Sequence, residues 1–356
     1  MKNIMKTLIV LVASVSLFAS ANAGTLGVSG TAKATYNIQS GTVNQDKGLG
    51  ITNELNFTAS GELDNGNTWA YSMELDPGAE ATGTAATVEN DDTKLTLTTP
   101  YGTVGVFIGE GGLDVDNTAS QSVYGRPSDI GGADGMVDGF GIDAYNNIQY
   151  HTPAGLLPLG MSFKAAYAPA TDGDNNSGNA AGNQTAMTAT YAGNDAKQYQ
   201  VKMAPIDGLE IGADYMEFSG AGDAAVTTKA QKPQSGSVYA TYAYDAFSVG
   251  ISRTMKDVLI GAQPSSDSTV ENYENLKYSI AYNVNDDLSL SYEREESDKS
   301  FVTTATADVE LTSSAIQAAY TMGGMTLAIS HGEHDNAAYV ANSEVTQTLF
   351  AVTMAF

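Results

Sequence analysis

Runs in which every second residue is apolar recur along almost the whole chain. Leu26, Val28, Ala32, Ala34, Tyr36 and Ile38 alternate with Ser29, Thr31, Lys33, Thr35 and Asn37. Trp69, Tyr71, Met73 and Leu75 alternate with Ala70, Ser72, Glu74 and Asp76. The same rhythm runs from Leu276 to Val284 and from Thr348 to Phe356. A period of two predicts strands with one apolar and one polar face. Helical spacing fails throughout.

Seven short turn signals separate the runs. They are Leu63-Asp64-Asn65-Gly66, Pro100-Tyr101-Gly102, Pro153 to Gly160, Ile206-Asp207-Gly208, Tyr244-Asp245-Ala246, Asn285-Asp286-Asp287 and Met322-Gly323-Gly324. Asp-Gly, Asn-Gly and Gly-Gly supply the backbone conformations that tight hairpins require. The turns lie 37 to 55 residues apart. Each interval holds two strands of about ten residues and one longer loop. Seven turns with a strand on each side, plus one strand at each end, make sixteen strands with eight long loops. An even strand number with short turns on one side and long loops on the other is the pattern of an outer-membrane barrel. Ala192-Gly193-Asn194-Asp195 reads as a further turn and keeps an eighteen-strand alternative open. Only 14 residues separate Gly193 from Asp207, so sixteen is preferred.

The expected fold is therefore all-β: a single transmembrane antiparallel barrel over residues 24–356, with short turns and both termini on the periplasmic side. Trp69, Tyr101, Tyr244, Phe247, Tyr282, Tyr320 and Phe356 flank the short turns. They are expected in an aromatic girdle at the membrane surface. The second face is Ser, Thr, Gly, Asn, Gln, Lys and Glu, which suits a wet lumen. A soluble sandwich would close over larger and more uniform apolar residues.

One stretch breaks the rhythm. From Glu110 to Ala144 no alternation holds over 35 residues. It carries Glu110, Asp114, Asp116, Asp129, Asp134, Asp138 and Asp143, eight glycines, and a single base, Arg126. Loops longer than about 12–15 residues are uncommon and usually functional or disordered. Counted by turns it is the third long loop, following the fifth strand. It is expected to fold into the lumen and narrow it. The second long interval contains the Gly/Asn/Asp-rich segment Pro169 to Gly182.

The N-terminus explains how such a chain reaches a membrane. Lys2 and Lys6 precede an apolar run from Thr7 to Phe18, and Ala21-Asn22-Ala23 is a small-x-small cleavage site. This is the pattern of a secretory signal peptide over residues 1–23. No later run reaches the roughly 18–20 apolar residues of a spanning helix. An exported chain of this kind is soluble or a closed barrel, since only helices and barrels satisfy their backbone in lipid. Cysteine is absent, which excludes thiol chemistry and disulfides. Removing the two lysines of the signal takes the formal charge from −25 to −27. A chain this acidic repels nucleic acid. In a concave lumen the same charge concentrates cations.

Lys33, Lys94, Lys164, Lys202 and Lys277 fall on the polar phase of their strands and are expected to face the lumen. Of these, Lys33 and Lys277 sit near mid-strand, at the height of a constriction. They would oppose the loop acids Glu110, Asp114, Asp116, Asp129, Asp134 and Asp138; Arg126 is expected to pair with a loop aspartate. Asp114-x-Asp116-Asn117 resembles the start of a calcium loop, although the remaining ligand spacing is missing. His331 and His334 lie three residues apart and so on opposite faces of a strand, which disfavours a metal site. They are expected to be solvated at a loop edge. His151 has no Gly-x-Ser-x-Gly element nearby, and no Gly-rich phosphate loop is present. The pattern carries no enzyme and no cofactor.

These pieces together resemble the general Gram-negative porin family over the whole length after residue 23. The resemblance is carried by Asp64-Asn65-Gly66-Asn67-Thr68-Trp69-Ala70-Tyr71-Ser72-Met73-Glu74-Leu75-Asp76, by Tyr101-Gly102-Thr103-Val104-Gly105-Val106-Phe107-Ile108-Gly109 running into the long loop, and by the terminal Met354-Ala355-Phe356. It implies a sixteen-stranded homotrimer in outer-membrane lipid that passes small hydrophilic solutes and ions. It also implies an inward third loop whose acids face a basic cluster on the wall, with Phe356 as an assembly signal. The chain departs from the family pattern where Gly109 is followed by Glu110 rather than arginine. Only Arg126, Arg253 and Arg294 are present in the whole chain, so a basic wall rests on lysine. The expected activity is passive diffusion with cation preference, selected by rings of charge. A substrate-selective porin, a plugged structural or adhesive surface barrel, and an enzyme built on a barrel are the competing readings.

Overall fold

The computed structural model describes residues 24–42, 47–77, 88–130, 135–171, 195–219, 229–258, 260–261 and 269–356. The first strands are β1 (Thr25–Gly41), β2 (Lys47–Glu62), β3 (Thr68–Pro77), β4 (Val88–Thr99), β5 (Gly102–Ile108) and β6 (Asn147–His151). Next come β7 (Ser162–Ala168), β8 (Asp195–Ile206), β9 (Leu209–Ser219), β10 (Lys229–Gln231), β11 (Gln234–Tyr244) and β12 (Phe247–Asp257). The chain ends with β13 (Ile260–Gly261), β14 (Val270–Asn283), β15 (Leu288–Phe301), β16 (Val309–Met322), β17 (Met325–Asp335) and β18 (Glu344–Ala355). Sixteen of them close an antiparallel barrel in sequence order; β10 and β13 pair only with each other, outside it. The stretch expected to decide between sixteen and eighteen strands contributes one barrel strand, β8, to the described residues; residues 192–194 and the signal peptide lie outside them.

Each of the seven short connections falls where the turn residues place it. Gly208, between β8 and β9, has φ +77°, and a β-carbon there would meet the Ala243 carbonyl at 2.2 Å. Only glycine tolerates both demands. Between β14 and β15 the Asn285 side chain accepts from the Asp287 and Leu288 amides, both at 2.9 Å. That is the local bonding for which Asn is favoured in turns.

The sheet is inside out relative to a soluble protein. Along β14, Leu276, Tyr278, Ile280 and Tyr282 face outward and are exposed, whereas Asn275, Lys277 and Ser279 face inward and are buried. Among the described residues no helix is long and apolar enough to cross a membrane; the strands are the spanning elements. At the short-turn rim, Tyr101, Tyr244, Phe247, Tyr282, Tyr320 and Phe356 are exposed. The rings of Phe247 and Tyr282 pack 4.6 Å apart. Trp69 instead leans over Gly61, where a β-carbon would lie 2.8 Å from its Nε1. The seam closes by pairing β1 with β18. At its end Gly30 and Phe356 exchange backbone hydrogen bonds of 2.8 and 3.0 Å.

Candidate functional site: a loop folded into the lumen

What buries the inward face is the segment joining β5 to β6, residues 109–146. Its described residues, 109–130 and 135–146, lie against the inner surface of the barrel from β6 round to β18. Polar side chains on the wall take its backbone. The Val115 amide donates to Asp214 (3.0 Å), Phe140 to Ser235 (2.8 Å), Ile142 to Gln198 (2.9 Å), Gln121 to Ser279 (2.9 Å), Val123 to Ser291 (3.0 Å) and Tyr124 to Gln317 (3.0 Å). Each such bond contributes on the order of 1 kcal/mol, and about twice that when the acceptor is charged. A loop without a ladder of its own thus satisfies its amides on the barrel wall.

Apolar side chains add three anchors. Leu113, Phe140, Ile142 and Tyr145 pack with Ala166, Met216 and Phe218 on β7 and β9. The Phe140 and Phe218 rings meet edge to face at 5.0 Å. Val115 and Ala119 meet Tyr239, and Ile130 meets Ala319, Ala328, Leu349 and Ala351. Burying a side chain such as Leu113 or Ile142 stabilises the docked loop by about 1.5–3 kcal/mol. At Gly250 the Ala119 carbonyl comes so close that a β-carbon would stand 1.7 Å from it.

Between loop and wall lies a network of charges. Arg126 bonds Asp129 at 2.6 Å, Asp138 at 2.8 Å and Glu295 at 3.2 Å. Lys277 reaches Asp138 at 2.5 Å and Glu295 at 3.7 Å, and also bonds Asn117. The Ser128 amide donates to Glu295 at 2.8 Å, and Ser120 and Ser122 both donate to Glu293. Burial opposes the charge on Asp138, but Lys277 and Arg126 outweigh it and hold its pKa down at about 2. Burial likewise opposes the Arg126 charge, and Asp138 and Glu295 raise its pKa despite it.

A second group of acids has no such partner. Asp114, Asp116 and Asp143 form no salt bridge among the described residues. Burial, then Asp116 and Asp143, push the Asp114 pKa up to about 7. Burial also raises Asp143. Asp116 is buried and accepts from the Gly139 amide at 3.1 Å. Among the described residues, no group of three or more His, Asp or Glu is arranged to hold a metal ion, Asp114 and Asp116 included.

The predicted site residues therefore separate into different settings. Lys277 lies beneath the loop and clamps it, instead of standing across the lumen from it; Arg126, Asp129 and Asp138 belong to the same clamp. Lys94 bonds Glu110 at 3.1 Å beside the start of the loop. The Lys33 ammonium lies 5.9 Å from the Tyr124 ring centre, within reach of a cation–π contact. Lys164 and Lys202 lie on β7 and β8 below the loop. Asp134 falls outside the described residues. His331 and His334 do point to opposite faces, but only His331 is exposed; His334 is buried, with Nδ1 2.6 Å from the Ser313 hydroxyl. Lumen-facing His334 is thus closed off by packing and is not solvated at a loop edge.

Sequence reasoning missed the wall acids Asp214, Glu293 and Glu295 and the glutamines Gln149, Gln198, Gln200 and Gln317. Their signal is present all the same. Ser291, Glu293, Glu295 and Ser297 occupy the polar phase of β15, so carboxylates were due in the lumen where the loop's only arginine could find them.

Known proteins were compared with this geometry. No curated protein sequence matches the chain. Among solved structures it is similar to the anion-selective porin from Comamonas acidovorans, with TM-score 0.67 and 12% identity over 94% of this chain and 100% of that one. It is similar to Salmonella typhi OmpF in complex with daunomycin, with TM-score 0.66 and 14% identity over 94% and 98%. OmpT of Vibrio cholerae in its trimer form matches with TM-score 0.60 and 13% identity over 94% and 100%. At these identities the likeness establishes the fold. A family model described as Gram-negative porin matches residues 7–352. With that match over nearly its whole length, the chain belongs to the Gram-negative porin family and is a protein of the bacterial outer membrane.

Proposed function

We propose that the barrel is a passive diffusion channel for small hydrophilic solutes and ions, with a preference for cations, and that it catalyses no reaction. The observation that carries the preference is the distribution of charge on the inward loop. Arg126 and the wall residue Lys277 are taken up by Asp129, Asp138 and Glu295, and Lys94 by Glu110. Asp114, Asp116 and Asp143 are left without a salt bridge among the described residues, and their charge grows as pH rises through the raised pKa of Asp114. Acidic groups at the narrowest part of a low-dielectric passage favour cations by electrostatic selection. Glu110, Asp114, Asp116, Asp129, Asp134 and Asp138 are the proposed constriction acids. Lys33, Lys94 and Lys164 are the proposed basic wall residues, and Arg126 and Lys277 act by holding the loop.

The test is conductance across a planar bilayer with a potassium chloride gradient. The expected reversal potential favours potassium. A reversal potential favouring chloride refutes the cation preference, and absence of conductance refutes the channel itself in favour of a plugged barrel. Liposome swelling with neutral sugars of increasing size then separates general diffusion from selection of one solute. The trimer form of a structural neighbour supports homotrimeric assembly. The mass of the detergent-solubilised protein by light scattering checks it.

A further inference from the structure

Two lysines of the lumen wall stand side by side with a histidine next to them. His151, Lys164 and Lys202 stand on β6, β7 and β8, and cross-strand pairing brings them together. His151 pairs directly with Lys164, Lys164 with Gln200, and Lys202 with Gly212. Lys164 lies opposite Gln200 and Lys202 opposite Ser162, so the two lysines are diagonal neighbours on one face of β7 and β8. Neither lysine forms a salt bridge among the described residues. The nearby acids hold hydrogen bonds to other groups. Asp214 accepts from the Val115 amide and from Gln198, and Glu210 accepts from the Tyr239 hydroxyl. By contrast Lys94 has Glu110, Lys277 has Asp138, and Lys256 has the Asp138 carbonyl at 2.8 Å.

The position is as specific as the charge. Gln149, on the same face of β6 as His151, donates to the Gly111 carbonyl and accepts from His151. Gln200, on the same face of β8 as Lys202, donates to the Leu113 carbonyl at 2.7 Å. These glutamines hold the first limb of the inward loop. The two lysines, with His151 beside Lys164, therefore form a ledge one step, roughly 7 Å along the strands, toward the short-turn rim. They lie beneath the strands the loop leans on. Two aromatic rings flank them. The Lys202 ammonium is 5.4 Å from the Tyr239 ring centre, and the Phe107 ring is 6.0 Å from the His151 ring.

We infer that this ledge binds the carboxylate of a small organic acid on the periplasmic side of the acidic loop. Two adjacent ammonium groups on a half-buried wall repel each other. A carboxylate between them removes that repulsion and accepts charge-assisted hydrogen bonds. The flanking Tyr239 and Phe107 rings suit a short carbon skeleton. The path through the barrel then meets acid first and base second. A solute carrying both an amine and a carboxylate finds a partner for each in turn. The inference rests on the channel reading for its consequence in transport, but not for the binding itself.

The experiment uses the folded full barrel in detergent and succinate as probe, followed by calorimetry. The reference variant is K164Q/K202Q, which keeps length and hydrogen-bonding capacity; heat-modifiable migration on a gel checks that it closes. Succinate is expected to bind the natural sequence at least tenfold more tightly than the variant. Equal affinity, or no binding to the natural sequence, overturns the ledge. Inorganic phosphate binding in place of succinate overturns the carboxylate assignment. In bilayers, succinate added from the short-turn side is expected to reduce the single-channel current of the natural sequence and to leave that of the variant unchanged. A barrel that binds succinate without conducting fails the channel reading and leaves the ledge standing.

Discussion

Arg126, in the inward loop, and Glu295, on β15, meet 3.2 Å apart where the barrel wall excludes water, Glu295 being 0% exposed. The loop's one base thus binds a wall acid, the reverse of an acidic loop facing a basic wall. Removing one member of a buried pair costs up to about 3–5 kcal/mol, of which Lys277, 3.7 Å from Glu295, offsets a part. Arg126→Met is expected to release the loop while the strand ladder still closes. The readouts are a larger and noisier single-channel conductance and protease cleavage within residues 110–144. Adding Glu295→Gln is expected to restore part of the docking, since the fully buried Glu295 charge no longer lacks its arginine and Lys277 keeps Asp138. Unchanged noise and protection in the single variant would show that the clamp holds nothing.

The acids of the loop respond oppositely to pH. The Asp114 pKa is raised from 3.8 to about 7 by burial and by Asp116 and Asp143. In the docked loop its charged form is disfavoured. That penalty is absent below pH 3.8, grows as pH rises, and is complete above about 7. Docking therefore weakens, and negative charge in the lumen increases, as pH rises through this window. Cation preference is expected to rise with it, and Asp114→Asn is expected to flatten the dependence. Reversal potentials on either side of pH 7 decide the matter.

Asp138 behaves in the ordinary sense for a paired carboxylate. Its pKa is lowered from 3.8 to about 2 by Lys277 and Arg126 against the effect of burial. Its contribution to docking is fully present above 3.8 and is lost as pH falls through about 2. The loop should stay protease-resistant at mild acidity and open only near the lower value. Release already at the pH where Asp114 titrates would contradict the assignment.

Gly250 is where the loop backbone crosses β12 most closely. Gly250→Ala puts a carbon into the space of the Ala119 carbonyl. Overpacking of this kind costs about 1–3 kcal/mol. The expected outcome is a displaced loop and altered conductance in a barrel of normal thermal stability. An unaltered conductance would mean that the loop does not rest on this strand in the membrane.

Phe356 closes the seam against Gly30, and its ring lies where a β-carbon of Gly30 would be, 2.8 Å away. Deleting Phe356 removes both the ring and the reciprocal backbone bonds. The expected result is a fall in the yield of heat-modifiable barrel. Phe356→Ala keeps the backbone bonds and is expected to lower the yield less. Equal yields from all three chains would remove Phe356 from assembly.

Alternation and turn chemistry determine most of the architecture from the sequence alone. A period of two fixes which side of each strand meets lipid, and the residues at Asn65-Gly66, Asp207-Gly208 and Gly323-Gly324 mark where the chain reverses, because both are local properties of backbone and side chain. The break in alternation from Glu110 to Ala144 likewise marks the loop. The partners of that loop were decided only by closure of the barrel. Lys277 and Glu295 are adjacent on β14 and β15, yet Asp138 and Arg126 lie more than a hundred residues away in sequence. A lysine on the polar phase reads the same whether it faces open water or lies under a loop. Burial and charge pairing depend on which distant segments share a space, and only the folded barrel sets that.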